Sequence, residues 1–382
     1  MNGARTDAAI VGAATSDLGY TPDFSTLDLM AQAAHRALED AGIGKDEVDG
    51  LFTATAQVHL PTLSLSEYLG IRPTYFDSTV HGGASNLSHV RHAIAALQSG
   101  QCEVALIVYG STQRSELKRS GTRPAVAVPP PLEAPYGPMF PVTSYALMAQ
   151  RHMSEFGTTR EDLANVAVTA SQWGSLNPDA FRRSVITVDD VLQSPLLSSP
   201  LRAKDCCLIT DGGGALVITT RDRARSARQR PVHVLGTGEV TEHEGMINMP
   251  DLASTGAIRT GRVAFEQASL EPSEVDVVQI YDAFTINPIM ILEDLGFCDK
   301  GAGSRIFAEG RASPGGDLPV NTSGGGLAYT HPGMFGIFTL LENVRQLRGE
   351  AGDRQVDHAR IALAHGIGGT MSSHCTVILG SD

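Results

Sequence analysis

Two phenols and an imidazole carry the most chemistry in this 382-residue sequence. Tyr281 follows the strand-like stretch Val275 to Ile280 and opens the block Tyr281-Asp282-Ala283-Phe284. Tyr329 and His331 lie in a glycine-rich string, Gly324-Gly325-Gly326-Leu327-Ala328-Tyr329-Thr330-His331-Pro332-Gly333. Such a loop offers Tyr329 little core to pack into, so its hydroxyl reads as functional. Pro332 suits the first position of a helix, which sets His331 at a helix start. Gly82 and Gly83 precede another helical stretch, whose free backbone N–H groups and dipole favour a developing oxyanion. Gly368 and Gly369 could supply a further backbone donor near His365. His365 reads equally well as a group that caps a strand end, and Asp282 as a hydrogen-bonding neighbour rather than a base. His81, His89 and His92 read as facing solvent or a partner subunit, with His81 the one that could line a site. Together these groups suit proton transfer next to a stabilised oxyanion.

Other chemistries find little support. Cys102, Cys206, Cys207, Cys298 and Cys375 form no C-x-x-C pair and leave an odd one, which argues against a disulfide framework or a zinc site. Gly236-Thr237-Gly238 is not continued as a dinucleotide-binding G-x-G-x-x-G. A formal net charge of −13 disfavours nucleic acid and anionic membranes as general partners. A phosphate-bearing ligand would then need a local basic patch. No apolar run approaches 18 residues and the N-terminus has no signal-peptide pattern, so the expectation is a cytoplasmic protein without metal or cofactor.

An internal repeat organises the elements that must position these groups. Ala37-Leu38-Glu39-Asp40-Ala41 matches Ala264-Phe265-Glu266-Gln267-Ala268, and Glu47-Val48-Asp49 matches Glu274-Val275-Asp276, both 227 positions on. Leu69-Gly70-Ile71 is echoed by Leu295-Gly296-Phe297 at 226. Each half alternates short apolar strands with helices, which indicates α/β layering. The halves are residues 1–230 and 231–382. The first carries a long insertion, 112–204, with a Pro-rich run (Val128-Pro129-Pro130-Pro131) and one clear helix from Tyr145 to Phe156. Insertions of this length commonly build a substrate cleft. The arginine-rich stretch Arg221 to Arg230 reads as a solvated linker.

The motifs resemble those of the thiolase superfamily, in its sterol-carrier-type branch. Asn321 to Gly333 is similar to that family's N-x-x-G-G-x-x-x-x-G-H-P-x-G signature. Tyr281-Asp282-Ala283-Phe284 takes the place of its N-E-A-F or H-D-C-F block, and Ala364-His365-Gly366 that of its C-terminal C-x-G. Asp211-Gly212-Gly213-Gly214-Ala215 is similar to the family's D-G-A-A-A. The resemblance implies two pseudo-symmetric βαβαβ halves in a five-layered αβαβα arrangement. It also locates the departures. Val80-His81-Gly82-Gly83-Ala84-Ser85-Asn86 puts Gly83 where a thiolase has its nucleophilic cysteine, and His365 where it has its base cysteine. Without a thiolate, covalent acyl transfer is not available.

The resemblance further implies a reaction that needs no thiol. Cysteine-less thiolase-like aldolases that shorten steroid side chains share the Y-D-x-F block and the Tyr-x-His-Pro-Gly run. The implied reaction is retro-aldol cleavage of a β-hydroxyacyl-CoA to a 17-ketosteroid and propionyl-CoA, with the CoA thioester as substrate rather than cofactor. Tyr281, Tyr329 and His331 would be catalytic, supported by Gly83, Gly368, His365 and Asp282. Homodimerisation through the N-terminal half and a smaller zinc-ribbon/OB-fold partner are implied as well. Two other readings stand beside this one: a non-catalytic acyl-CoA or lipid carrier, and a Claisen-type acyltransferase lacking the usual cysteine.

Overall fold

A computed structural model describes residues 6–121 and 129–381; Val128 of the Pro-rich run and the first five residues lie outside the described residues. The first half consists mainly of β1 (Ala9–Thr15), α1 (Thr26–Ala41), β2 (Gly50–Thr53), β3 (Tyr75–Asp77), α2 (Ser85–Gln98) and β4 (Val104–Ser111). After the insertion, with α3 (Val142–Phe156) and α4 (Arg160–Leu176), it closes on β5 (Gly212–Thr219). The second half comprises β6 (Val232–Thr241), α5 (Ala257–Ala268), β7 (Val277–Ile280), α6 (Ile286–Asp294), α7 (Gly336–Arg348), β8 (Ile361–Gly368) and β9 (Ser373–Gly380).

The repeat holds in three dimensions. β2 and β7 are both four residues long and begin 227 positions apart, and α1 and α5 end at Ala41 and Ala268, the same distance apart. The strand order β3-β2-β4-β5-β1-β6-β9-β8-β7 is symmetric about the β1–β6 seam, where Ala9 pairs with His233 and Ile10 with Val232. In the second half a single parallel bridge, Val278 to Val320, stands in for β3. Gly12 and Gly236 show why the repeat conserves backbone approach. An added Cβ would lie 2.2 Å from the carbonyl oxygen of Ala37 and 2.1 Å from that of Ala264, so each glycine lets a helix press onto its strand.

α1 and α5 cover the outer faces, while α2 and α7 pack on each other and on strands of both halves. The chain therefore forms the five-layered αβαβα thiolase fold. Its central layer explains the burial pattern. β4, β5 and β9 are buried along their whole length, as sheets covered on both faces must be. α7 is enclosed almost all round, unlike the amphipathic α1.

The insertion holds more helix than the single stretch read from the sequence. α4 was hidden by its composition: small residues such as Ala164, Ala167, Ala170 and Gly174 make its buried face, so its apolar contrast is weak. Its start was legible, since Thr159 and Asp162 form a reciprocal capping box.

Candidate active site

The C-terminal ends of the parallel strands in both halves open onto one cavity of about 930 Å³, the expected place for a ligand in an open α/β sheet. Among the segments that wall it are the turn before α2 with Gly83, the loop after β7 with Tyr281, the loop before α7 with His331, and the end of β8 with Gly368. The insertion adds the apolar side chains of Phe140, Val142 and Tyr145, and Cys207 follows just after it.

Tyr281 is the centre of this arrangement. Its backbone N–H donates to the His365 carbonyl at 2.9 Å, which fixes it at the end of β7. Its hydroxyl lies 2.9 Å from His331 Nε2 and 3.2 Å from the Gly333 carbonyl. The ring meets the imidazole edge-on, at 84°. It also lies against Gly83. A Cβ on Gly83 would stand 1.9 Å from Tyr281 Cε2 and 2.7 Å from the Ile367 carbonyl oxygen. The phenol thus fills the space that any side chain at position 83 would need.

His331 is held from the other side. Its backbone N–H donates to Thr210 Oγ1 at 2.9 Å, and the Thr210 N–H donates back to its carbonyl at 3.3 Å. Burial pushes the His331 imidazole down to about 4 and the Tyr281 phenol well above its ordinary range. Both are neutral at pH 7, a hydrogen-bonded pair without charge.

The remaining predicted groups divide. Gly368 lines the cavity, and a Cβ there would meet the His81 carbonyl oxygen at 1.7 Å, so the two glycine loops interlock. Asp282 is turned into the protein, where Oδ1 accepts the Gly326 N–H at 2.6 Å; burial pushes its carboxyl up to about 7. It clamps the glycine-rich loop. His365 lies outside the cavity lining, its ring bonded to Thr376 Oγ1 (2.9 Å) and His374 Nδ1 (3.1 Å).

Tyr329 is a correction. It is not part of the cavity wall: its side chain packs edge-on against Phe338 of α7, and its hydroxyl sits in the field of the buried Arg345 guanidinium. Tyr329 ends a four-residue helical turn (Gly325–Ala328), so the loop that looked empty of core contacts leans on a central helix. Tyr329→Phe should accordingly keep turnover near that of the parent, far short of the hundredfold loss that removal of a general acid or base brings. Steady-state kinetics of the purified variant check this. His89 is also a correction, since its ring is fully enclosed near Phe52 rather than solvent-facing. His81 does line the cavity.

Sequence reasoning missed two phenols. Tyr109, inside β4, accepts the Met334 N–H at 3.0 Å and donates to the Pro332 carbonyl, pinning the loop that carries His331. Tyr145 stacks on Phe284 with ring centroids 4.3 Å apart and donates to the Gly369 carbonyl at 3.3 Å. Each sits in a regular element among apolar neighbours, where a tyrosine reads as core.

The buried imidazoles set an acid limit on stability. Burial holds His89, His331 and His374 down to about 4 and His365 well below its ordinary value. In the unfolded chain they titrate near 6.5. Between about pH 6.5 and 4 the unfolded state therefore binds protons that the folded state refuses. Asp282, pushed up to about 7, works in the opposite sense because its proton stays on in the fold. His81, lowered by burial as well, adds to the uptake, whereas Asp205, Asp294 and Glu350, raised by burial, side with Asp282. His92, pushed up to about 9, opposes it only above about pH 6.5. The five buried imidazoles dominate below that, so stability falls on acidification, by about 1.4 kcal/mol per pH unit for each net proton. Urea unfolding at pH 7 and at about pH 5.5 should show a lower midpoint at the lower pH; an equal or higher one contradicts the neutral assignments.

Residues 8–222 match the thiolase N-terminal domain, and residues 238–381 the thiolase C-terminal domain-like family. The chain belongs to the thiolase superfamily. It is 36% identical over 373 residues to an acetyl-CoA acetyltransferase of Methanothermobacter thermautotrophicus, covering 95% of this chain and 97% of that one. It is 33% identical over 380 residues to the 17-hydroxy-3-oxo-4-pregnene-20-carboxyl-CoA lyase of Mycobacterium tuberculosis, covering 94% and 97%. Among solved structures, the Ltp2-ChsH2(DUF35) aldolase superposes with a TM-score of 0.89 at 29% identity, over 99% of this chain and 98% of that one. Among the described residues, no helix of this thiolase-fold chain is long and apolar enough to cross a membrane.

Proposed function

We propose that this chain is a carbon–carbon lyase that cleaves a β-hydroxyacyl-CoA by retro-aldol chemistry. One observation carries the choice between the acyl-transfer and lyase chemistries named among the relatives. The Tyr281 ring occupies the space next to Gly83, with its hydroxyl 2.9 Å from His331, so a phenol–imidazole pair stands where a thiol would have to project.

The chemistry follows from the two neutral groups. The β-hydroxyl proton passes to the Tyr281 oxygen as the Tyr281 proton passes to His331 Nε2. The bond between the α- and β-carbons breaks, the β-carbon leaves as a ketone, and its electron pair becomes the enolate of the shortened acyl-CoA. A buried imidazole resists protonation on its own. A developing enolate within the same cavity raises its proton affinity, because opposite charges in a low-dielectric site stabilise one another. The pair is thus weak at rest and strong in the transition state. Gly83 and Gly368 support this reading as close backbone around the thioester oxygen.

The substrate is a steroid side-chain CoA thioester with a tertiary β-alcohol, which gives a 17-ketosteroid and propionyl-CoA. The named lyase relative and the apolar wall from Phe140, Val142 and Phe284 support this assignment. No cofactor takes part, the CoA thioester being substrate. The chain works in the cytoplasm as a homodimer joined through its N-terminal half, with a zinc-ribbon/OB-fold partner. The solved neighbour, whose name joins Ltp2 to ChsH2(DUF35), supports a heteromeric assembly. The test is to supply a tertiary β-hydroxyacyl-CoA with that partner present and follow ketone release. Binding without cleavage would instead favour the carrier reading.

A further inference from the structure

The lyase reading leaves one step without a donor: the enolate carbon must take up a proton, and Tyr281 and His331 face the β-oxygen. A second polar line reaches the same cavity through His81 and Ser373, which both line it. His81 Nδ1 lies 2.9 Å from Ser373 Oγ, and His81 Nε2 lies 3.0 Å from Ser88 Oγ. The Ser88 hydroxyl is fully buried and lies beside the Glu239 carboxylate, which is held below its ordinary range by His92 first and by Ser88 as well. Glu239 Oε1 is 3.5 Å from His92 Nε2, and His92 Nδ1 is 2.5 Å from Asp77 Oδ2. The far end is open to solvent, with side-chain exposures of 27% for His92 and 31% for Glu239.

Proton counting along this line shows that it has two settings. The Ser373 hydroxyl has one proton and two acceptors, the His81 carbonyl (2.9 Å) and His81 Nδ1. The Ser88 hydroxyl likewise has one proton, shared with His81 Nε2 at 3.0 Å or turned toward the neighbouring Glu239 carboxylate. A neutral imidazole carries one ring proton, so when one serine donates to it, the ring donates to the other. Rotating both hydroxyls and switching the His81 tautomer moves the equivalent of one proton from the surface to the cavity. Burial keeps His81 neutral, and His92, held between Asp77 and Glu239, is pushed up to about 9 and stays charged at pH 7. The charged member is thus at the solvent end and the transmitting members are neutral.

We infer that Ser373, His81, Ser88, Glu239 and His92 form a proton relay that protonates the α-carbon of the acyl-CoA enolate from solvent. The enolate carbon takes the Ser373 hydroxyl proton, His81 Nδ1–H refills Ser373, Ser88 refills His81 Nε2, and His92 refills Ser88 through Glu239. The proton on His331 returns to solvent after the ketone leaves, so the cycle balances. Ser373 is the group that touches substrate; His81, Ser88, Glu239 and His92 act through it.

The inference rests on the lyase reading, and the experiment separates the two. Ketone release from the tertiary β-hydroxyacyl-CoA by the parent complex tests the lyase reading alone. The relay is tested by incubating the same complex with propionyl-CoA in heavy water and following deuterium entry at the α-carbon by mass spectrometry. The parent should exchange, Ser88→Ala should exchange at least tenfold more slowly with propionyl-CoA binding unchanged, and Ser88→Thr, which keeps the hydroxyl, should recover most of the rate. Exchange by Ser88→Ala at the parent's rate would overturn the relay. So would failure of Ser88→Thr to exceed Ser88→Ala, or absence of exchange in a parent that releases ketone.

Discussion

Tyr281→Phe should lower the rate of ketone release by roughly two to four powers of ten, the range for losing a positioned general acid or base. The substitution removes one oxygen and keeps the ring, so the contact with Gly83 and the edge-on packing on His331 and Phe335 survive. Acyl-CoA binding should therefore change little, and the loss should appear in kcat rather than KM. His331→Ala should fall into the same range, and the double variant should be little worse than either single one, because the two groups act as a unit. Additive losses would show two independent roles and contradict the relay from phenol to imidazole.

The second large effect is at a residue with no side chain. Gly83→Ala places a Cβ 1.9 Å from a Tyr281 ring carbon, about half a van der Waals contact, and Ile367 blocks the other direction. Overpacking of this kind costs about 1–3 kcal/mol or more, and here relief comes only by displacing the phenol from His331. Turnover should fall at least as far as in Tyr281→Phe, with a lower thermal midpoint. Gly83→Cys should behave in the same way and should not restore thiolysis, since the Tyr281 ring fills the space into which the thiol would have to project. The pair Gly83→Ala with Tyr281→Ala should be more stable than the sum of the two single changes, because the clash is removed. Simple additivity would show that the two residues do not share this space.

Much of the fold was legible because the repeat is nearly ungapped: once Ala37 and Ala264 are matched, the paired strands and helices follow. Gly83 and Tyr281 were each legible as departures from a family pattern. Their complementarity was not, since it joins two halves of the chain across the seam and no local spacing encodes it. Tyr329 misled because a glycine-rich stretch was read as a loop without core, whereas Gly325–Ala328 is a helical turn buried against α7. His89 of α2 was read as facing solvent or a partner subunit. His89 is instead fully buried, as is Ser88, because α2 belongs to the central layer; Ser88 bonds the His81 ring at the cavity.

The proposed cleavage breaks the carbon–carbon bond without a thiol and without a second CoA. Thiolysis consumes free CoA and passes through an acyl-enzyme, whereas retro-aldol cleavage uses neither. The most direct measurement is the rate of ketone release from a tertiary β-hydroxyacyl-CoA, with and without free CoA, alongside the intact mass of the protein during turnover. Retro-aldol cleavage should give equal rates, one ketone for each shortened acyl-CoA, and an unmodified protein mass. Cleavage that requires free CoA, or a protein carrying one acyl group, would contradict it.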